Sequence, residues 1–366
     1  MSPSHPYYLP TPVRRAPGSI LVTGGAGFIG GCVARELLAG GTRVVVADDL
    51  SSGFAARVPG ECELHRVDVS DPARLTALLT GAGPFDAVLH LAARVGVRRV
   101  LAAPEACRHE NLAGVRALLC ALESLPAGKR PRVFAASTSE VYREKRGPLE
   151  ECDAVRDERG VGRWAYAGSK LAGERALDAA RHLWPDGAGP VHLRFFNVVG
   201  PGQDAESGMV LPTFVEQALA GRPLTVHGDG TQVRTLGHVD DVARALAAIV
   251  REPGFPAGAL NLGGTARTTV LALAEEVSRA CRARTGVRAP VATVDPRRVL
   301  SPSFEAVTYR VPSFGRARSL GVRIPARALA AIVADTIERH EDLRHPRAET
   351  CPRAGSGRSV CASPAS

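Results

Sequence analysis

A chain of 366 residues with 45% hydrophobic content is long enough to bury a core shared by two lobes. Its formal net charge of +9 raises nucleic acid or a membrane surface as partners, yet aromatics are only 5% and Arg is spread along the chain, with no basic run interleaved with aromatics. No stretch reaches about 18 consecutive apolar residues, so neither a nucleic-acid partner nor a membrane span is expected, and anionic small molecules suit the charge.

Residues 1–16, rich in Pro, Ser and Arg, read as a flexible tail. The opening Met1–Pro10 lacks the apolar core of a signal peptide, which points to the cytoplasm. Ser19–Thr23 then reads as a short buried strand, and from Phe28 to Leu38 the apolar positions shift to a helical period. Gly24-x-x-Gly27-x-x-Gly30 therefore spans a strand-to-helix junction. Phosphates favour such a junction, because the first N–H groups of a helix are unpaired, the dipole is positive there, and glycine lets a pyrophosphate come close. Arg43–Asp48 follows as a second strand ending in a carboxylate, about 20 residues on, where it can accept hydrogen bonds from a ribose diol. A carboxylate at Asp48 would repel a 2′-phosphate, so NAD is favoured over NADP, although Arg57 lies close enough in sequence to serve a phosphate.

Arg132–Tyr142 carries an apolar run that reads as a central parallel strand, with hydroxyls emerging at its carboxyl end, where open α/β sheets bind ligands. Thr138 is the candidate to hydrogen-bond a reacting hydroxyl. Downstream, Tyr166 and Lys170 are four residues apart on a helical segment running to Arg181, so both side chains face one side. A phenol with a pKa near ~10 needs a nearby cation to act as a base at neutral pH, and Lys170 and a nicotinamide ring would supply it. Lys occurs only at 129, 145 and 170, so a compact ammonium stands where this chemistry wants one. Further helices are expected near 209–220, 238–250, 269–283 and 326–342, and residues 345–366 read as a second tail. Eight cysteines, at 32, 62, 107, 120, 152, 281, 351 and 361, show no Cys-x-x-Cys pair and no metal-ligand spacing, so buried reduced thiols and no metal are expected.

These motifs fall in an order that resembles the NAD-dependent nucleotide-sugar epimerase/dehydratase family of extended short-chain dehydrogenases/reductases, from about residue 18 to about 340. The resemblance rests on Thr23–Gly30, Asp48–Gly53, Asp68-Val69, His90–Ala93, Ser137–Tyr142, Tyr166–Lys170, Arg194–Pro201, Leu224–Arg234 and His238–Val242. It implies an α/β fold, a Rossmann-type doubly wound parallel sheet with a smaller C-terminal cap. The NAD-binding part is placed at 17–196 plus 237–262, and the sugar-nucleotide cap at 197–236 plus 263–344. Cofactor contacts are implied for Gly24, Gly27, Phe28, Ile29, Gly30, Asp48, Asp68, Val69, Ala92, Ala93 and Lys170. Thr138, Tyr166, Lys170 and Glu140 are the implied catalytic residues, and Ser139, Asn197, Arg234 and Arg310 the substrate contacts. A homodimer is implied through the helix beginning near Asn111 and the Tyr166 helix.

The shared first step would remove the proton of a sugar 4-hydroxyl at Tyr166 while NAD takes the hydride. A UDP-sugar 4-epimerase stands slightly ahead of a UDP-glucuronate decarboxylase. A 4,6-dehydratase falls behind because Thr138-Ser139-Glu140 replaces the Thr-Asp-Glu of such relatives, and Ser is a poor acid for expelling hydroxide. A simple dehydrogenase with dissociating cofactor and a non-catalytic NAD sensor are the readings from other classes. Two departures bear on the substrate: Arg143 and a polar, charged loop to Arg163 follow Tyr142 where relatives have Gly, and Pro201-Gly202 lacks a basic residue common there.

Overall fold

Residues 18–184, 187–299 and 307–340 are described by a computed structural model; both expected tails lie outside the described residues. In chain order the strands are β1 (Ser19–Thr23), β2 (Arg43–Asp48), β3 (Glu63–Arg66), β4 (Ala87–His90), β5 (Arg132–Thr138), β6 (Val191–Phe195), β7 (Val198–Val199), β8 (Leu224–His227), β9 (Val233–His238), β10 (Gly258–Leu262), β11 (Ala266–Thr269), β12 (Val291–Val294) and β13 (Tyr309–Arg310). The helices are α1 (Phe28–Ala39), α2 (Pro72–Gly81), α3 (Val97–Ala102), α4 (Pro104–Glu123), α5 (Ala165–Ala179), α6 (Val210–Leu219), α7 (Val239–Arg251), α8 (Val270–Thr285), α9 (Pro296–Val299), α10 (Gly315–Ser319) and α11 (Leu329–Glu338).

Seven strands pair in parallel in the order β3-β2-β1-β4-β5-β6-β10. Near-continuous apolar runs such as Ile20-Leu21-Val22 and Val44-Val45-Val46 form such strands because both faces of the sheet are covered. Ile20, Val22, Val44, Val46 and Leu89 pack with Val33 and Leu37 of α1 and Val242 and Leu246 of α7. Their neighbours Leu21, Val45, Ala47 and Val88 pack on the other face with Leu75 of α2, Leu118 and Leu122 of α4 and Leu177 of α5. Each buried Val, Leu or Ile among them contributes roughly 1.5–3 kcal/mol relative to exposure. The strand order reverses between β1 and β4, and doubly wound sheets open a crevice at that reversal.

Outside this sheet, β9 pairs with β7, β11 and β13, and β8 with β12. A third core of Leu211, Phe214, Leu224, Val226, Leu236, Leu273, Val277, Ile332 and Ile337 joins α6, α8 and α11 to β8 and β9. The expected helices near 209–220, 238–250 and 269–283 appear within two residues of those bounds as α6, α7 and α8. Side chains fix two starts: Thr269 Oγ1 accepts from Ala272 N at 3.1 Å, and His238 Nδ1 accepts from Asp240 N at 3.2 Å. The expected helix at 326–342 is shorter, Leu329–Glu338, and 341–342 lie outside the described residues.

The helix expected to begin near Asn111 starts at Pro104 instead, because proline's fixed φ suits the first helical position; Asn111 stands well inside α4 and is buried. The charged loop after Tyr142 docks across the molecule. Glu144 accepts from Thr308 N at 2.8 Å and Tyr309 N at 3.2 Å, and Leu149 exchanges backbone bonds with Val311 and Ser313.

His238, Asp240 and Asp335 bring one potential ligand atom each within 4.8 Å of one another. Arg339 lies 3.1 Å from Asp240 and 3.3 Å from Asp335, so guanidinium already satisfies these acids and ties α7 to α11. Cys107 and Cys281 are buried thiols as expected, whereas Cys120 and Cys152 are exposed. Cys120 sits on the outward side of α4, and Cys152 in the loop that follows Glu151. Among the described residues, no helix is long and apolar enough to cross a membrane.

Candidate active site

The crevice between β1 and β4 opens into a cavity of about 920 Å³. Every residue singled out from the sequence lines it: Gly24, Gly27, Phe28, Ile29, Gly30, Asp48, Asp68, Val69, Ala92, Ala93, Thr138, Ser139, Glu140, Tyr166, Lys170, Asn197, Arg234 and Arg310.

At one end, the turn from β1 to α1 lies against the end of β4. Gly24 has φ +70°, and a Cβ there would stand 2.7 Å from Ala92 N. A Cβ on Gly30 would strike the Gly24 carbonyl, so the helix start and the turn touch backbone to backbone. No side chain caps α1, which leaves its first-turn N–H groups to the cavity. Asp48 is buried at the end of β2, where Oδ2 accepts from Ala26 N at 3.0 Å and Oδ1 from Leu50 N at 2.9 Å. Burial raises its pKa, and those two N–H groups pull it back. Asp68 Oδ1 accepts from both the N–H and the hydroxyl of Ser70, at 2.9 and 2.7 Å. Arg57 is committed elsewhere: its guanidinium lies 4.8 Å from the Phe54 ring centroid and donates to Gly202 O at 2.6 Å. A backbone cradle that a Cβ would fill, an uncapped helix start and carboxylates at Asp48 and Asp68 fit a dinucleotide.

At the centre, α5 presents Tyr166 and Lys170 to the cavity, with Lys170 Nζ 6.0 Å from the Tyr166 ring centroid. Lys170 is buried, and among the described residues no hydrogen bond or ion pair holds its ammonium. Burial pushes its pKa down to about 8, against the opposing pull of Cys107 and Glu174. Tyr166 moves the other way from the sequence expectation: burial first, then Glu140 and Cys107, push the phenol up. The protein alone therefore keeps the phenol protonated. His90 sits beneath, bonded to Thr23 Oγ1 at 2.8 Å and pushed down to about 3 by burial and by Lys170, so it is neutral. Thr138, at the end of β5, accepts from Glu140 N at 3.2 Å.

The far end is basic. Glu140 accepts from Arg310 Nη1 at 2.8 Å and lies 3.8 Å from Arg163. Burial would raise its pKa, but Arg310, Arg163 and Arg234 outweigh burial and hold the carboxyl below its ordinary value. Arg234 donates to Val233 O and Val307 O at 2.9 and 2.8 Å, and burial beside Arg310 pushes it down to about 10. Asn197 donates to Thr235 O at 3.3 Å.

The model of the NAD dependent epimerase/dehydratase family matches residues 20–263. The chain belongs to this family. As an NAD-dependent epimerase/dehydratase it is 34% identical over 346 residues to a UDP-glucose 4-epimerase of Streptomyces lividans, covering 90% of this chain and 98% of that one. It is 28% identical over 305 residues to a UDP-N-acetyl-alpha-D-glucosaminuronate decarboxylase of Bacillus cytotoxicus, covering 82% and 90%. The crystal structure of a Thermus thermophilus UDP-glucose 4-epimerase in complex with NAD superposes with a TM-score of 0.73 at 28% identity, covering 88% of this chain and 98% of that one.

Two residues of this epimerase/dehydratase site escape the sequence reading. Asn111 accepts from Arg94 N at 2.7 Å and donates to Ser169 Oγ at 3.1 Å, joining the loop after β4 to the Tyr166 helix. Its signal was a lone polar residue on a helix face that turns out to be buried. Arg163 lines the cavity three residues before Tyr166, its guanidinium 4.2 Å from the Trp164 ring centroid; its signal was its place at the end of the charged loop and beside the Tyr166–Lys170 motif, which assigned it no role.

Proposed function

We propose that this family member oxidises a nucleotide sugar transiently at C4 and returns it inverted, as a UDP-sugar 4-epimerase. The observation that carries the reading is the convergence of Thr138, Tyr166 and Lys170 between the glycine-lined turn and a pair of arginines in a single cavity. Bound NAD+ supplies a hydride acceptor and the positive charge that Tyr166 lacks in the protein alone. Asp48 accepts from the ribose diol, Lys170 donates to ribose hydroxyls and raises the local potential, and the uncapped start of α1 receives the pyrophosphate. Thr138 orients the sugar 4-hydroxyl, and Tyr166 takes its proton and later returns it. Arg234 and Arg310 hold the diphosphate, with Asn197 beside them.

Glu140 speaks against a dehydratase. An elimination needs a free base at C5, whereas Glu140 is a depressed carboxylate shared by two arginines, and Ser139 stands where a dehydratase relative carries its acid. The decarboxylase relative keeps decarboxylation as the second reading.

Purified protein supplied with NAD+ and UDP-glucose, UDP-N-acetylglucosamine, UDP-glucuronate or dTDP-glucose is expected to return at least one UDP-sugar at unchanged mass with C4 inverted, and to show no net change in nicotinamide absorbance. Loss of carbon dioxide from UDP-glucuronate would select the decarboxylase, and loss of water a dehydratase. Accumulating reduced cofactor would select the simple dehydrogenase. Turnover of none of them would leave the sensor.

In this reading residues 17–196 with 237–262 bind the dinucleotide, and 197–236 with 263–344 form the cap over the sugar nucleotide. The separate core around α6, α8 and α11 supports that division. The chain acts as a homodimer in which α4 and α5 of two copies pack about a two-fold axis. Light scattering on the eluting protein should give twice the 38.4 kDa chain mass, and the single-chain mass would remove this assembly.

A further inference from the structure

α5 carries a third buried group on the stripe that bears the catalytic pair. Tyr166, Lys170 and Glu174 follow one another at intervals of four residues, so they lie one above the other on the helix. Glu174 and Arg194 are 6% and 8% exposed at their side chains, and they form a two-bond fork: Arg194 Nε to Glu174 Oε1 at 3.0 Å, and Nη2 to Oε2 at 2.7 Å. Ser137 Oγ donates to the same Oε1. Ser137 and Arg194 are direct partners across β5 and β6, so neighbouring strands grip one carboxylate on the helix above them. Ser137 immediately precedes Thr138 and also lines the cavity. Arg194 is held in turn by Glu151 O at 3.1 Å and lies 4.8 Å from the Tyr142 ring centroid, while the Tyr142 hydroxyl donates to Asn261 at 2.6 Å.

A buried ion pair seldom stabilises a fold more than apolar side chains of the same volume would, so its presence calls for another explanation. Apolar packing lets a helix slide or roll by fractions of an ångström, whereas three directional bonds fix both its height and its rotation. An error of about 1 Å in a reacting geometry can cost about a hundredfold in rate.

We infer that Glu174 is a positioning residue for the reaction, setting the Tyr166–Lys170 helix against the end of β5 through its bonds to Arg194 and Ser137. The inference rests on the catalytic reading of Thr138, Tyr166 and Lys170 given above. Glu174 also acts through charge. The groups facing Lys170 are Tyr166 and Glu174 on its own helix, Cys107 on α4 and the neutral His90 on β4, and Glu174 is the one carboxylate among them.

The test compares kcat, KM, retained nucleotide and melting temperature in the full-length protein for Glu174→Met/Arg194→Met, Ser137→Ala, Arg194→Lys and Glu174→Gln, with Tyr166→Phe as reference. The double methionine variant keeps volume and removes both charges; it is expected to fold and retain nucleotide while kcat falls about tenfold to a hundredfold and KM changes less than about threefold. Ser137→Ala should lose several-fold in kcat at unchanged melting temperature. Arg194→Lys keeps the charge but not the fork, so kcat should fall while the alkaline limb of its pH profile stays in place. Glu174→Gln removes a group that pushes Lys170 up, so that limb should move to lower pH. Wild-type kcat in the folded double variant overturns the inference, as does wild-type kcat in Ser137→Ala should the double variant not fold. An inactive Tyr166→Phe beside fully active Glu174 and Ser137 variants overturns this inference alone, whereas an active Tyr166→Phe overturns the catalytic reading and this inference with it.

Discussion

Tyr166→Phe is expected to lower kcat by about 10²–10⁴ while leaving the melting temperature and the retained nucleotide as in the wild type. The ring stays packed against Val100, Cys107 and Ala165, so the change removes an oxygen and little else. The magnitude follows from the position of the phenol. Burial, Glu140 and Cys107 all favour its protonated form, so the proposed reaction would depend on the charge that a bound dinucleotide and Lys170 bring to that oxygen. This dependence gives a pH signature. Lys170 is held down to about 8, so its ammonium is complete well below pH 8 and is lost as the pH rises through that value, some two units earlier than for a solvent-exposed lysine near ~10.4. Wild-type kcat should accordingly fall on the alkaline side near pH 8, and Lys170→Ala should lose activity at every pH rather than shift the limb. A Tyr166→Phe variant with more than a tenth of wild-type kcat, or a wild-type profile flat to pH 10, would remove this pair from the mechanism.

The parts of this site that were legible in the sequence are those built from neighbours along the chain. Gly24, Gly27 and Gly30 signal a junction because strand, turn and helix periods adjoin there, and Tyr166 with Lys170 signals a shared face because a helix repeats every 3.6 residues. Contacts between distant segments leave no such period. Glu140 and Arg310 stand 170 residues apart, so the ion pair they form leaves no trace in local spacing. The charged loop after Tyr142 is another such case, because its Glu144 bonds to Thr308 and Tyr309, more than 160 residues on, beside Arg310. The direction of the Tyr166 shift was also hidden, because a sequence shows that a cation lies four residues away but not how deeply the phenol is buried. Pro104 was available as a helix start for α4 and carries the physical reason, yet the reading placed that start seven residues later, at Asn111.

The glycine turn admits a test that separates cofactor binding from folding. At Gly24 any side chain meets two obstacles. The backbone has φ +70°, the left-handed region that costs an L-residue roughly 1–2 kcal/mol, and the added Cβ would lie 2.7 Å from Ala92 N and 2.8 Å from Ala92 Cα. Those are backbone atoms just past the end of β4 and cannot swing away as a side-chain tip would, so relief requires the turn and the β4 end to part, the two edges between which the dinucleotide is proposed to lie. Gly24→Val should therefore abolish retained nucleotide and turnover and lower the melting temperature by several degrees, the scale on which about 1–2 kcal/mol registers in a chain of this length. Gly60→Val makes the control, since a Cβ there meets nothing within 4 Å and its φ is not positive. Released nucleotide, measured after denaturing both proteins, gives the comparison directly: near-stoichiometric NAD from Gly60→Val and almost none from Gly24→Val is the expected pair. Equal amounts from both would mean that the pyrophosphate does not lie between Gly24 and Ala92, and the dinucleotide would have to be placed elsewhere in the cavity.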